Sequence, residues 1–192
     1  MGAKSLERLY EEHQGKVSDK WGLYLREYDR LFSDYRSREV RMLEIGIQNG
    51  GSLDIWLRYF PRSTRLIGCD IDPACAELNY DDPRIAVVIG DANLSETEAR
   101  ILSLCDAFDI VIDDGSHRSS DIVGSFARYF PHVVEGGVFV VEDMHCSYWE
   151  EFEGGLFAPY SSITFFKHLA DVVNYQHWGV DKQRSDLLSG FA

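Results

Sequence analysis

Two short acidic segments hold the residues best suited to chemistry, Asp113-Asp114-Gly115-Ser116-His117 and Glu142-Asp143. Carboxylates crowded at one edge repel one another unless protons or a cation compensate. A hard divalent ion such as Mg2+ takes oxygen ligands and keeps several of its waters. His117 lies three residues beyond Asp114 on the same loop, where it can face a metal-bound substrate without being a ligand. A histidine that titrates near neutrality can take a proton from a hydroxyl. A third segment, Leu43-Glu44-Ile45-Gly46-Ile47-Gln48-Asn49-Gly50-Gly51-Ser52, is a glycine-rich turn. Glycine lets a backbone turn tightly and approach a ligand, and a helix that follows offers free N–H groups to an anion. A dinucleotide fingerprint would read GxGxxG, whereas here the spacing is Gly46-x-x-x-Gly50 with Glu44 just ahead.

These segments need elements to position them, and the apolar periodicity supplies an alternating series. Trp21, Tyr24, Leu25, Tyr28, Leu31 and Phe32 recur at helical spacing. Val40 to Ile47 reads as strand 1, and Leu53, Trp56, Leu57 and Phe60 mark a helix that stops at Pro61. Leu66 to Ile71 is strand 2, followed by Asp72-Pro73 as an N-cap with proline at the first helical position. Ile85 to Ile89 is strand 3, and Ser95 with Glu98 has capping-box spacing ahead of a helix through Ile101 and Leu102. Phe108 to Ile112 is strand 4. Ile122, Phe126, Tyr129 and Phe130 share a helical face, Gly136-Gly137 ends that unit, and Val138 to Val141 is strand 5. A loop rich in glycine and aromatics runs from about Met144 to Ser161, before a last helix carrying Ile163, Phe166, Leu169, Ala170 and Val173.

Nearly continuous apolar strands alternating with helices predict an α/β fold, a doubly wound, mostly parallel sheet covered on both faces. Ligands in such sheets sit at the carboxyl ends of the strands, near the switch point. Glu44, Asp70, Asp91, Asp113-Asp114 and Glu142-Asp143 all fall there, and five strands ending in acid describe a site better than a solvated face.

Composition narrows the partners. The 192 residues carry 32 acidic against 19 basic side chains, a net charge of −13. Such a chain repels phosphate backbones, which excludes nucleic acid and anionic membrane as expected partners. No run approaches the roughly 20 apolar residues of a spanning helix, and Met1 to Glu12 shows no signal-peptide pattern. Cys69, Cys75, Cys105 and Cys146 form no CxxC pair, which argues against zinc and for reduced thiols in a cytoplasmic protein.

The glycine loop resembles the first motif of class I S-adenosylmethionine (SAM) methyltransferases. That resemblance implies that Gly46 and Gly50 pass close to the methionine part of SAM and that Ser52 binds its carboxylate. It also implies that Asp70 takes the ribose hydroxyls and that Asp91 faces the adenine. IDDGSH followed by VEDMH further resembles the metal-dependent sugar O-methyltransferases of macrolide tailoring, of the mycinamicin and tylosin type, a pattern shared by the cephalosporin hydroxylase-like family. The similarity covers about Val17 to Trp149 and includes Ser18-Asp19-Lys20 with Tyr24 and Tyr28, which resembles the family's GTDK…Y segment near the SAM site. Carried over, it implies Asp114, Glu142 and Asp143 as Mg2+ ligands and His117 as general base. Ser18, Glu44 and Asp113 fall to the cofactor side, Asp113 alternatively orienting His117 or simply capping its loop.

The implied organisation is a helical segment, residues 1–36, contributing to the cofactor site, and a Rossmann-like methyltransferase domain over 37–192. The family's fold closes with two further strands, and none is legible after Val173, so the expectation includes a domain lacking its C-terminal strands. The implied function is SAM- and Mg2+-dependent O-methylation of a sugar, glycosylated natural product or polysaccharide. The aromatic loop Tyr148, Trp149, Phe152, Phe157 and Tyr160 suits such an acceptor, or equally a lid or a contact in a homo-oligomer. Two other classes stand beside this one. An NAD-type oxidoreductase would want GxGxxG and a Tyr-x-x-x-Lys pair, both absent. A non-catalytic SAM- or metal-binding domain of a larger protein would keep the cofactor site without transfer.

Overall fold

The computed structural model describes residues 4–179. Five strands form one wholly parallel sheet in the order β3-β2-β1-β4-β5, made of β1 (Val40–Ile45), β2 (Ser63–Asp70), β3 (Ile85–Ile89), β4 (Phe108–Asp113) and β5 (Val133–Val141). Chain order reverses between β1 and β4, which creates the switch point where an open sheet binds its ligands.

Strand alternation divides the core. Val40, Met42, Leu66, Ile110 and Ile112 pack on one face with α1 (Leu6–Glu11), α2 (Gly22–Phe32) and α3 (Gly51–Tyr59). Leu43, Ile45, Ile67, Val88, Phe108 and Val111 pack on the other, with Ile101 of α4 (Ser95–Leu104) and Tyr129 of α5 (Ser119–Tyr129). Residues two apart share a face, so Glu44 joins Val40 and Met42 on the side of the first three helices. There Tyr28, Phe32, Trp56, Tyr59 and Phe60 form a buried aromatic stack, with Tyr28 edge-on to Trp56 at 5.5 Å.

Clustering of contacts separates two compact units. One is built from the chain up to Ser116 together with Gly124–Glu142, and holds the sheet. The other is built from His117–Val123 and from Asp143 onward, and includes α6 (Ser162–Val173). No helix among the described residues is long and apolar enough to cross a membrane.

Three local expectations need correction. Gly136-Gly137 lies inside β5, which starts at Val133. Gly136 takes φ +73°, and the pairing with β4 shifts register between Phe108 and Ile110, so the glycines make an irregularity the strand runs through. Ser95 is no N-cap: α4 begins at Ser95, Leu94 holds the cap position, and Glu98 ion-pairs with Arg128. Leucine has no side-chain oxygen to cap with, so no capping box forms. Trp21, expected on the buried stripe, is the N-cap of α2 and 59% exposed, and Leu31 is also exposed, which leaves Leu25, Tyr28 and Phe32 inside. Asp72 does cap as expected, its carboxylate accepting from Ala74 N at 2.8 Å, though the turn at Pro73–Glu77 is a 3-10 helix. No strand follows α6 among the described residues; residues 180–192 lie outside them.

Candidate active site

The sheet's ladder runs one step past the strands. Gly46 N donates to Cys69 O at 2.8 Å, Gly90 N to Asp70 O at 2.8 Å, Asp114 N to Ile45 O at 2.8 Å and Glu142 N to Asp113 O at 2.9 Å. These bonds hold the acidic strand ends level with one another. Gly46 turns at φ +82°, where a Cβ would lie 2.1 Å from the Asp114 carbonyl oxygen. Backbone cannot yield that much, so Gly46→Ala should separate the two loops. The expected result is a lower melting temperature in a thermal unfolding scan.

Asp70 staples the same turn. Its Oδ2 accepts from Ile47 N at 2.9 Å and Gln48 N at 2.8 Å, and its Oδ1 accepts from Asp72 N at 2.9 Å. Asp91 accepts from Asn93 N at 2.8 Å. Ser52 is buried, its hydroxyl donating to Glu44 Oε2 at 2.6 Å, and Ser18 shares a hydrogen bond with Tyr10 at 3.0 Å. Asp113 is buried and caps its own loop: Oδ1 accepts from Gly115 N at 3.2 Å, and Oδ2 from the Ser125 hydroxyl.

The densest charge in the first unit gathers around Lys20. Its ammonium lies 2.6 Å from Glu142 Oε1, 2.8 Å from Asp114 Oδ2 and 3.4 Å from Glu44 Oε1, and the side chain is 3% exposed. Tyr28 donates to Glu142 Oε1 at 2.6 Å, and Trp56 Nε1 donates to Glu44 Oε1 at 3.2 Å. Burial pushes the Glu44 and Glu142 carboxyls upward, and Lys20 pulls both back. Burial works against the Lys20 charge, and the surrounding carboxylates more than compensate, so its ammonium is held well above the usual range. Burial, then Glu142, raises the Tyr28 phenol, which therefore stays a donor. Three carboxyl groups thus surround one ammonium.

The second unit holds His117 and Asp143. Both take left-handed backbone conformations, φ +59° and +52°. Non-glycine residues are uncommon there, and such strain clusters at functional sites. His117 Nε2 lies 3.7 Å from Asp143 Oδ2, and His145 Nδ1 lies 3.9 Å from Asp143 Oδ1. His145 meets Trp149 edge-on at 5.1 Å, and Phe152 lies 6.4 Å from the His117 ring. The loop before α6 contains two 3-10 turns, Met144–Tyr148 and Glu150–Phe152. Its middle is pinned by a 2.6 Å hydrogen bond between Ser147 and Ser162, while Phe157 and Tyr160 are each 88% exposed.

The structure thus groups Glu44, Asp114 and Glu142 in the first unit, and His117 with Asp143 in the second. Ser18 and Asp91 stand outside both groups. Lys20 and Tyr28 were missed as site residues, both having been noted within a cofactor-like segment and Tyr28 also on the apolar stripe of its helix.

Comparison with known proteins gives consistent relatives. The chain is 41% identical to mycinamicin VI 2''-O-methyltransferase of Micromonospora griseorubida over 82% of its own length and 41% of the relative's. It is 37% identical to the 8-demethyl-8-alpha-L-rhamnosyl tetracenomycin-C 2'-O-methyltransferase of Streptomyces olivaceus, over 84% of this chain and 44% of that one. The chain is a homologue of macrolide and sugar O-methyltransferases. Its fold is the Rossmann-like class I methyltransferase fold: the solved MycE methyltransferase of the mycinamycin pathway, in complex with Mg and S-adenosylhomocysteine (SAH), superposes with a TM-score of 0.83 at 36% identity, covering 96% of this chain and 49% of that one. A second MycE structure holds Mg, SAH and mycinamycin VI, with a TM-score of 0.81 at 36% identity, over 93% of this chain and 48% of that one. No protein-family model matches the chain. The homologue spans less than half the length of the curated relatives it matches.

Proposed function

We propose that the chain catalyses SAM- and Mg2+-dependent O-methylation of a hydroxyl on a sugar, a glycosylated natural product or a polysaccharide. The observation that carries this reading is the convergence of Asp114 and Glu142, from the ends of adjacent strands β4 and β5, on a single cationic atom. An oxygen-only donor set of this kind suits a hard cation. The relatives supply the reaction class, and the MycE complexes supply both cofactors by kinship.

We assign Asp114, Glu142 and Asp143 as ligands of Mg2+ and His117 as general base. Gly46, Gly50, Ser52, Asp70 and Asp91 line the SAM site, with Glu44, Ser18 and Asp113 supporting it. Bound there, Mg2+ supplies a Lewis acid that lowers the acceptor's hydroxyl pKa, and SAM supplies an activated methyl group. The chain's residues do the rest. The glycine turn and Asp70 orient the cofactor, and the His117 ring takes the hydroxyl proton. Residues 1–36 contribute to the cofactor side and 37–192 form the catalytic domain. The acceptor is a small molecule or saccharide, met in the cytoplasm, where the four cysteines stay reduced; all four are free thiols in the structure.

Calorimetric titration of SAM and SAH, with and without Mg2+ and with NAD+ as control, tests the reading. Micromolar SAM binding and a separate Mg2+ signal are expected. NAD+ binding in place of SAM would move the chain to the oxidoreductases, and SAM binding without transfer to any glycosylated acceptor would make it a binding domain.

A further inference from the structure

We propose that Lys20 is a positioning residue for the divalent ion, its ammonium and the Tyr28 hydroxyl engaging one oxygen of each of two carboxylates and presenting the other oxygens to the ion. This rests on the Mg2+ reading of Asp114 and Glu142 and deepens it. Lys20 reaches Asp114 through Oδ2, and both Lys20 and Tyr28 reach Glu142 through Oε1. Two strong donors on one oxygen fix the Glu142 carboxylate plane and leave Oε2 as its remaining donor to a cation. The same lysine contact fixes Asp114 through Oδ2 and leaves Oδ1.

A long glutamate side chain otherwise carries several rotamers, and ordering them at the moment of binding costs affinity. Here the ordering is done beforehand. Tyr28 sits in the aromatic stack with Trp56 and Phe32, so its hydroxyl is aimed by the core. Lys20 lies only two residues before α2, and its side chain is enclosed.

Three carboxyl groups, Glu44, Asp114 and Glu142, meet this one ammonium. A lysine serving only as a plug would have to give up all three contacts when an ion displaced it. A lysine that stays keeps its hold on one oxygen of each carboxylate while the ion takes the other.

Groups that orient metal ligands typically contribute about 10–100-fold to metal affinity. Mn2+ is the probe, titrated into the full chain and followed by the electron paramagnetic resonance signal of the free ion. Lys20→Met is expected to weaken Mn2+ binding about 10–100-fold, and Lys20→Arg to recover most of it, since the charge and a donor return. Unchanged or tighter binding in Lys20→Met would overturn the proposal and make the lysine a plug that the ion must displace. Weakening that Lys20→Arg does not reverse would also count against it, as the mark of a packing defect. Should Lys20→Met fail to melt cooperatively, the double variant Lys20→Met/Glu44→Gln removes one charge of each sign and keeps both proposed ligands. The same weakening is expected there, and wild-type affinity in that variant would overturn the proposal. Wild-type chain that takes up no Mn2+ would overturn the metal reading itself, a result distinct from failure of the lysine's role.

Discussion

Asp114→Asn should abolish tight Mn2+ and Mg2+ binding and lower methyl transfer by about three orders of magnitude, because a Lewis acid contributes several kcal/mol to the barrier and each 1.36 kcal/mol is tenfold. The substitution keeps shape and removes charge. One of the carboxyl groups around Lys20 is lost, and an amide is a poorer ligand for a hard cation than a carboxylate. The backbone of residue 114 keeps its bond to Ile45 O and its contact with the glycine turn, since neither involves the side chain. SAH affinity should therefore stay within about threefold of wild type, well under the 1.4 kcal/mol that a tenfold change represents. Mn2+ titration, SAH calorimetry and transfer of labelled methyl to a panel of glycosylated macrolides and rhamnosides measure the three quantities separately. Loss of SAH binding together with metal binding would point to collapse of the loop instead. Full activity with full metal binding would remove Asp114 from the ligand set.

The sheet was legible in the sequence because parallel strands buried on both faces must be apolar almost throughout. Each of the five runs was located, and their carboxyl ends were placed to within two residues, β1 stopping at Ile45 rather than Ile47. Three amino ends, Val40, Ile85 and Phe108, were also found, but β2 begins at Ser63 and β5 at Val133, several residues earlier than expected. Those starts are polar or glycine-bearing, and ladder bonds carried by the neighbouring strand set them. The acidic loop ends could be read for the same reason, since a carboxylate at the end of an apolar run stands out.

Lys20 could not be read that way. Its partners Asp114 and Glu142 lie 94 and 122 residues away in the chain. A single lysine in a polar segment carries no local sign of burial, and periodicity reports only which face of an element is apolar. Tyr28 shows the same limit from the other side. Its spacing with Leu25 and Phe32 correctly announced a core position, while its hydroxyl, the part that meets Glu142, is invisible to a hydrophobic pattern. Ser52 has a partner the motif does not announce: its hydroxyl donates to a carboxylate of the chain itself, Glu44.

His117→Ala should reduce turnover by about 100- to 10,000-fold, the usual contribution of a positioned general base, while Mn2+ and SAH binding stay near wild type. The ring's surroundings support that role. It follows β4 on a left-handed residue, it is about a quarter exposed, and Asp143 at 3.7 Å is too distant for a hydrogen bond to lock it. An exposed loop histidine with a structural duty would be tied to backbone, as His13 is to Lys16 O at 2.7 Å. Truncation leaves the left-handed backbone in place, and His117→Asn supplies a residue that tolerates it well, so a fall in turnover shared by both variants traces to the lost imidazole. Because the proton is taken only as the methyl moves, the loss should appear in kcat with KM for the acceptor little changed. A rise in KM alone would make His117 an acceptor contact, and unaltered kcat would pass the proton to another group, with His145, 3.9 Å from the far oxygen of Asp143, the next residue to substitute.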